Sequence, residues 1–236
     1  MRRRLGAIQS CYLPWKGYFD FIKSVDIFIL ADDELYSHSG FRNRNLLRTP
    51  HGTEWITLPV HATTQTRIAD VPVADHNIVW RRRHARQIRS RLGTTSCFSD
   101  LEDILAFYTR NCSDMLSDIN QELLRIICQM LEIKTPVESW KDKPVQERKT
   151  EKIIRLLEEY DCNTYVTGPS AMNYIDIDAL RVKNLHLEIK SYDYESYQQR
   201  WSGYWPDVSV LDLIANCGIR ESRRLMCSRT PDQVVL

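Results

Sequence analysis

Two short apolar runs separated by an amphipathic segment open the chain. Residues 5–8 and 27–31 are apolar, and residues 18–25 between them carry apolar side chains every three or four positions. Strands that are buried on both faces have such short apolar runs, whereas a helix shows a period near 3.6. The order strand, helix, strand predicts a parallel βαβ unit. Ligands of such sheets bind beyond the carboxyl ends of the strands, so the residues that follow each run are candidates for function.

The remaining pattern predicts an α/β fold with a Rossmann-like parallel or mixed sheet and a mostly helical middle section. Further strands are predicted at 54–60, where the chain returns to the sheet, and at 68–73, 164–167 and 187–190. Helices are predicted at 76–92, 100–110, 113–131, 148–160, 171–175 and 209–216. We divide the chain into an N-terminal α/β part (1–75), a helical section (76–133), a C-terminal α/β part (134–219) and a tail (220–236).

Composition narrows the class of protein. The 236 residues include 32 basic and 31 acidic side chains, a net charge of +1, which argues against an extended nucleic-acid-binding surface but allows a local basic pocket. We find no apolar run of the roughly 18–20 residues that span a membrane and no signal peptide. Seven cysteines without CxxC spacing fit free thiols in a reducing cytoplasm and indicate no metal site. No motif indicates a particular cofactor.

The loop after the first strand is the first candidate ligand site. Gln9, Tyr12, Trp15, Lys16 and Gly17 lie between the first strand and the first helix. Backbone N–H groups at the start of a helix bind anions, and glycine allows close approach of a ligand. The loop therefore suits a ligand that carries a phosphate or a sugar. The alternative is that its aromatic residues plug the end of the sheet.

Candidate acid–base groups follow the second strand and lie on the basic helix. Asp32 and Asp33 could bind a cation, orient a hydroxyl or act as a base, or they could cap a turn or pair with an arginine. His84 is a candidate because its ordinary pKa lies near neutrality, although a single helical histidine is more often structural. The arginines around it are most simply a solvated face.

Three further segments carry polar residues suited to phosphates and hydroxyls. Arginine binds phosphate bidentately and asparagine both donates and accepts hydrogen bonds, although structural salt bridges would also explain the first segment. A helix start is a second possible anion site, and a glycine–proline loop after a strand lies at the same predicted edge. These residues are Arg42, Asn43, Arg44 and Asn45, then Lys149 and Thr150, then Gly168 and Pro169.

Eight ordered blocks between residues 5 and 218 resemble the WbqC-like family. They are IQSCYLPWKGYFDFI, the DD pair, FRNRN, TPHGTEWITLPV, WRRRHARQI, RKTEKII, TYVTGPSAMNYID and VSVLDLIANCG. The resemblance implies a bacterial cytoplasmic protein of surface-polysaccharide, O-antigen, amino-sugar or specialised pathways. It adds Tyr174 to the candidate substrate-binding residues. Ser10 stands where the family usually has proline, which could loosen the loop or shift its ligand.

A looser likeness links the first unit to nucleotidylyltransferases of the HxGH type. Trp15 and Tyr18 stand where that motif would have its histidines, so the usual charge stabilisers of nucleotidyl transfer are missing. We treat the likeness as one of fold.

Three hypotheses about function follow. The first is a transferase that modifies a sugar, probably a nucleotide-linked amino sugar, for example by acyl or aminoacyl transfer from a small-molecule, tRNA-borne or carrier-protein-borne donor. Arginines and Lys149 would hold phosphate, amides would hold hydroxyls, and Asp32, Asp33 or His84 would supply the base. The second is an enzyme that binds a nucleoside triphosphate with Mg²⁺ near the aspartates. The third is a scaffold that uses the aromatic segment 192–205 and the basic helix as a partner surface.

Overall fold

The N-terminal βαβ unit forms as predicted. The computed structural model describes residues 2–74, 79–110, 113–143 and 147–236. Strands β1 (Arg4–Ile8) and β2 (Ile27–Leu30) pair in parallel, and helix α1 (Lys16–Lys23) connects them. The run 27–31 is continuous rather than alternating because both faces of β2 are covered: Phe28 packs into one apolar core and Ile29 into the other.

A six-stranded, mostly parallel sheet confirms the predicted α/β fold. Its order is β5-β2-β1-β6-β7-β8, and only β8 runs antiparallel to its neighbour. The chain leaves β1 first toward β2 and later returns to its other side at β6, so the loops after β1 and β6 flank the point where the strand order reverses. The later strands are β5 (Val137–Ser139), β6 (Thr164–Thr167), β7 (His186–Ile189) and β8 (Gln233–Val234).

Helices cover both faces of the sheet. Apolar residues of α1, α2, α4 and α7 form the larger core, whereas α5 and α6 pack on the opposite face. Helix α7 kinks at Gly218, whose φ of 78° and ψ of 164° are not helical. The helices after α1 are α2 (Val79–Leu92), α3 (Glu102–Phe107), α4 (Leu116–Met130), α5 (Thr150–Glu159), α6 (Ile177–Val182) and α7 (Val210–Leu225).

Residues 54–60 do not return to the main sheet. Strands β3 (Arg44–Thr49) and β4 (Gly52–Thr57) instead form a separate antiparallel hairpin. The predicted strand 68–73 is wrong: residues Ile68–Asp70 form a 3₁₀ turn, and Pro72 has no N–H to donate to a ladder. The predicted helix 171–175 is the 3₁₀ turn Pro169–Asn173.

Several segments carry more structure than their sequence indicated. Strand β5 lies within the predicted connection 134–145, and the tail is ordered, since α7 continues to Leu225 and β8 pairs with β7. The start of the predicted helix at 76–78, Cys112 and positions 144–146 lie outside the described residues. The segment boundaries at 75, 133 and 219 stay predictions. Among the described residues, none of the helices is long and apolar enough to cross a membrane.

Candidate functional site

A buried ion pair marks the carboxyl edge of the sheet. The Nζ of Lys152 lies 2.6 Å from Oδ2 of Asp33 and 2.5 Å from Oε1 of Glu34. Both aspartate and lysine side chains are almost buried, at 5% and 10% exposure. Helix α5 brings Lys152 there because it runs back toward the start of β6, so its own first turn lies at the carboxyl edge. The sequence prediction missed Lys152, although it is the second lysine of the RKTEK segment that opens this helix.

One oxygen of Asp33 has unused hydrogen-bonding capacity. Its Oδ1 is buried and has no hydrogen-bond partner among the described residues, whereas Oδ2 accepts from Lys152. Burial raises the pKa of Asp33, and the hydrogen bond and charge of Lys152 oppose that rise only in part. A buried carboxylate with a raised pKa and a free oxygen can accept a proton from a ligand hydroxyl or amine.

Three predicted residues from other segments lie around this ion pair. Burial, and then the charge of Glu34, raises the pKa of Tyr174, whose side chain is half exposed. Lys149 is exposed and precedes α5 in a left-handed conformation with φ 54°. Thr150 is buried, and its Oγ1 accepts the backbone N–H of Asp176 at 2.8 Å, so its hydroxyl already has a structural partner.

The loops after β1 and β6 complete the edge. The side-chain amide of Gln9 is half-buried and has no hydrogen-bond partner in the part of the chain that is described. Gly168 and Pro169 begin the 3₁₀ turn after β6, and a Cβ on Gly168 would lie 3.9 Å from the hydroxyl of Tyr192. The predicted neighbourhood of these loops therefore exists, with Tyr192 as an additional wall.

Asp32 differs sharply from its neighbour. It is fully buried, and Oδ1 accepts the backbone N–H of Ser10 at 2.8 Å. Its Oδ2 accepts from Ser117 Oγ at 2.5 Å and from Gln121 Nε2 at 3.1 Å. Both oxygens therefore have protein donors, and the carboxylate ties the loop after β1 to α4.

Most polar residues of the FRNRN block hold the backbone. Arg42 Nη1 donates to the carbonyl oxygens of Gln9 at 3.0 Å and Ser10 at 3.2 Å. Asn43 Nδ2 donates to the Leu58 carbonyl at 2.9 Å, and Asn45 Nδ2 donates to the Tyr12 carbonyl at 3.1 Å. The structure brings these three residues to the loop, but their described contacts are to protein atoms.

His84 lies at the centre of a buried hydrogen-bond chain. Its Nε2 is 3.0 Å from the Thr57 carbonyl and must donate, so Nδ1 accepts from the Tyr12 hydroxyl at 2.7 Å. That hydroxyl is also 2.6 Å from the hydroxyl of Tyr108. Burial, and then the charge of Arg83, lowers the pKa of His84 to about 4. The imidazole is thus neutral at physiological pH and is occupied at both nitrogens.

The start of α1 is covered by the aromatic segment 192–205. Lys16 is 2% exposed, and its Nζ donates to the Tyr204 hydroxyl at 2.9 Å and lies 4.9 Å from the centroid of the Tyr194 ring. Burial lowers the pKa of Lys16 to about 8. Trp15 packs on Tyr194, and a Cβ on Gly17 would lie 2.3 Å from the Trp15 ring. The aromatic segment therefore packs inward on the loop rather than forming a flat outer patch.

The largest open groove lies apart from the Asp33–Lys152 pair. It has a volume of about 630 Å³ and runs between α4 and the outer edge of β5. Two lining residues, Gln121 and Ser139, are joined by a 2.9 Å hydrogen bond, and Gln121 also contacts Asp32. Within the described ranges, no group of three or more His, Cys, Asp or Glu side chains could hold a metal ion.

Comparison with known proteins places this architecture in a family. The model of the WbqC-like protein family matches residues 9–224. The chain is also similar to the uncharacterized protein Rv1507c of Mycobacterium tuberculosis, with 34% identity over 218 residues that cover 92% of this chain and 94% of that protein. No solved structure matches the chain significantly. Since the family match covers nearly the whole sequence, this chain belongs to the WbqC-like protein family.

Proposed function

We propose that this protein is a transferase that modifies a sugar, and that its reaction takes place at the carboxyl edge of β1, β2 and β6. The observation that carries the proposal is the buried Asp33–Lys152 pair, in which one carboxylate oxygen is free. The proposed substrate is a nucleotide-linked amino sugar of bacterial surface-glycan or specialised metabolism, the context that the resemblance to WbqC-like proteins implies. Acyl or aminoacyl transfer is the concrete form.

Asp33 acts as the general base in this proposal. The amine or hydroxyl of the sugar attacks the carbonyl carbon of the donor, and Oδ1 of Asp33 takes the proton that the attacking atom loses. The new bond to the acyl carbon forms as the bond to the leaving group breaks, and the proton then passes to the leaving group. General base catalysis of this kind typically contributes about 10²–10⁴-fold in rate. The ammonium of Lys152 keeps the carboxylate oriented.

Residues around the ion pair bind the sugar and its phosphates. Lys149 is exposed beside the first turn of α5, where its charge and the helix N-terminus favour a phosphate. The amide of Gln9 and the hydroxyl of Tyr174 offer hydrogen bonds to sugar hydroxyls. Asp32 and His84 act as positioning residues, because their polar atoms already have protein partners.

A ligand screen followed by a transfer assay tests the proposal. Thermal shifts are measured with nucleotide sugars, acyl-CoA and nucleoside triphosphates with and without Mg²⁺. A ligand at 100 times its Kd stabilises the folded state by about 2.7 kcal/mol and raises the melting temperature. We expect a shift with a nucleotide sugar that shrinks in the Lys149→Met and Tyr174→Phe variants. A shift only with a triphosphate and Mg²⁺ would favour the second hypothesis instead.

Mass spectrometry of the stabilising sugar, incubated with acyl-CoA and aminoacyl-tRNA donors, then detects transfer. Asp33→Asn should bind the sugar but lose at least about 100-fold in rate. The matched control is Asp161→Asn, because the Asp161 side chain is fully exposed, at 102%, and forms only a 3.9 Å contact with Arg3. Transfer by Asp33→Asn within twofold of the wild-type rate would refute the assignment of the base.

A further inference from the structure

Helix α2 presents arginines that lack acidic partners. It contains six arginines and no acidic residue. Arg81 and Arg91 form ion pairs with Asp114 and Glu54. The remaining exposed strip consists of Arg82, Arg83 and Arg86, and within the described part of the chain none of the three has an acidic partner. Three uncompensated guanidinium groups on one face of a helix attract a polyanion.

An exposed aromatic platform lies on the neighbouring hairpin. Trp55 of β4 is 44% exposed and Phe41 is 41% exposed, and their ring centroids are 5.8 Å apart. The guanidinium carbon of Arg44 lies 4.4 Å from the Trp55 ring centroid. Large aromatic side chains at this exposure leave apolar surface in water, and a planar guanidinium beside them adds a second stacking surface and a positive charge.

The arginine strip and the aromatic platform form one continuous surface. Arg83 Nη2 donates to the Thr57 carbonyl at 3.4 Å, and Thr57 is the direct partner of Arg44 across the hairpin. Gln87 of α2 donates to the Trp55 carbonyl at 3.1 Å. A chain of contacts therefore leads from the helix to the ring of Trp55. We call Arg82, Arg83, Arg86, Arg44, Trp55 and Phe41 the basic–aromatic surface.

We infer that the basic–aromatic surface binds a short single-stranded segment of nucleic acid. The arginines contact phosphates, and unpaired bases stack on Trp55 and Phe41. An acidic peptide would use the arginines but not the exposed rings, whereas an alternation of phosphates and bases uses both. The near-zero net charge of the chain does not oppose this, because the acidic residues that balance the total lie outside α2. This inference stands independently of the proposed reaction at Asp33.

Fluorescence anisotropy with labelled 12-nucleotide RNA and DNA of mixed sequence tests the electrostatic part. The R83E/R86E variant should weaken binding at least tenfold and reduce the slope of log K against log salt by about 1.4, since each single-strand phosphate contact contributes about 0.7. The matched control is R181E/R220E, which changes the net charge equally at two exposed arginines elsewhere. Equal weakening in both variants would overturn the inference, because binding would then depend on net charge alone.

Substitutions of Trp55 test the stacking part. Trp55→Ala should weaken binding at least about fivefold, and Trp55→Phe should restore most of it, because loss of a base–aromatic stack costs about 1–3 kcal/mol. The exposed ring makes loss of the fold improbable to confuse the result, and circular dichroism of each variant checks it. Tighter binding of RNA or of DNA identifies the source of the strand. No saturable binding to either, or binding of heparin with equal affinity and no effect of Trp55→Ala, would overturn the inference.

Discussion

Replacement of His84 by glutamine should change how the stability of this protein depends on pH. The imidazole is completely buried, donates from Nε2 to the Thr57 carbonyl and accepts the Tyr12 hydroxyl at Nδ1. Burial lowers its pKa from 6.5 to about 4. Between these two values, the imidazole in the unfolded chain is protonated while the imidazole in the folded protein stays neutral.

The sign and size of the effect follow from this difference in bound protons. The unfolded state binds more protons below pH 6.5, so the free energy of unfolding falls as the pH falls toward 4. One pKa unit corresponds to about 1.4 kcal/mol, so the stability that His84 contributes decreases by about 2 kcal/mol between pH 8 and pH 5. Above pH 7 this contribution is essentially constant.

Urea unfolding of the wild type and of His84→Gln at pH 8, 7, 6 and 5 measures the effect. Glutamine can still donate to the Thr57 carbonyl, but it does not titrate, and the Tyr12 hydroxyl loses an acceptor. The variant should therefore be less stable by about 1–3 kcal/mol at pH 8. The gap between the two proteins should narrow by about 2 kcal/mol at pH 5. A gap that stays constant within about 0.5 kcal/mol would show that the folded protein does not hold His84 neutral, contrary to our reasoning.

Three further predictions concern buried groups and backbone conformation. Asp32→Ala should lower the free energy of unfolding by about 3 kcal/mol or more in urea titrations, because three donors lose their acceptor; an unchanged midpoint would contradict the contacts described. Gly218→Ala should cost about 1–3 kcal/mol by calorimetry because of its φ of 78° and a Cβ only 3.2 Å from Cys97 Sγ, whereas Gly40→Ala, the control, should have little effect. Cys128, whose pKa burial raises to about 12, should resist iodoacetamide at pH 8 in the native protein and react after unfolding, as peptide mass spectrometry would show.

The elements that the sequence predicts well are those whose pattern is local. The βαβ unit and β6 were predicted because an apolar run or a 3.6-residue period is visible within the element itself. The pairing of strands is not local. Nothing in the alternation of residues 54–60 distinguishes a strand of the main sheet from one arm of a separate hairpin, and three-residue β5 is too short to show any period.

The candidate site shows a similar limit at the level of single atoms. The sequence places Asp32 and Asp33 together at the carboxyl end of β2, and this placement is confirmed. It cannot show that one carboxylate faces Ser10 and Ser117 while its neighbour faces Lys152, because those partners lie on distant segments. Their chemical difference therefore arises from tertiary packing.

Hydrogen-bond satisfaction separates the polar residues of the first loop into two groups. Phe41 accepts the Tyr12 N–H at 3.0 Å, and Arg42 holds the Gln9 carbonyl, so the loop is fixed between the sheet edge and the hairpin. Buried polar groups that already have partners gain little from a ligand, whereas unsatisfied ones gain a hydrogen bond that water no longer provides. By this criterion the capacity to bind resides in Asp33 at one end of the loop and in Arg44 at the other. The dense polar motifs between them act chiefly to keep these two regions in place.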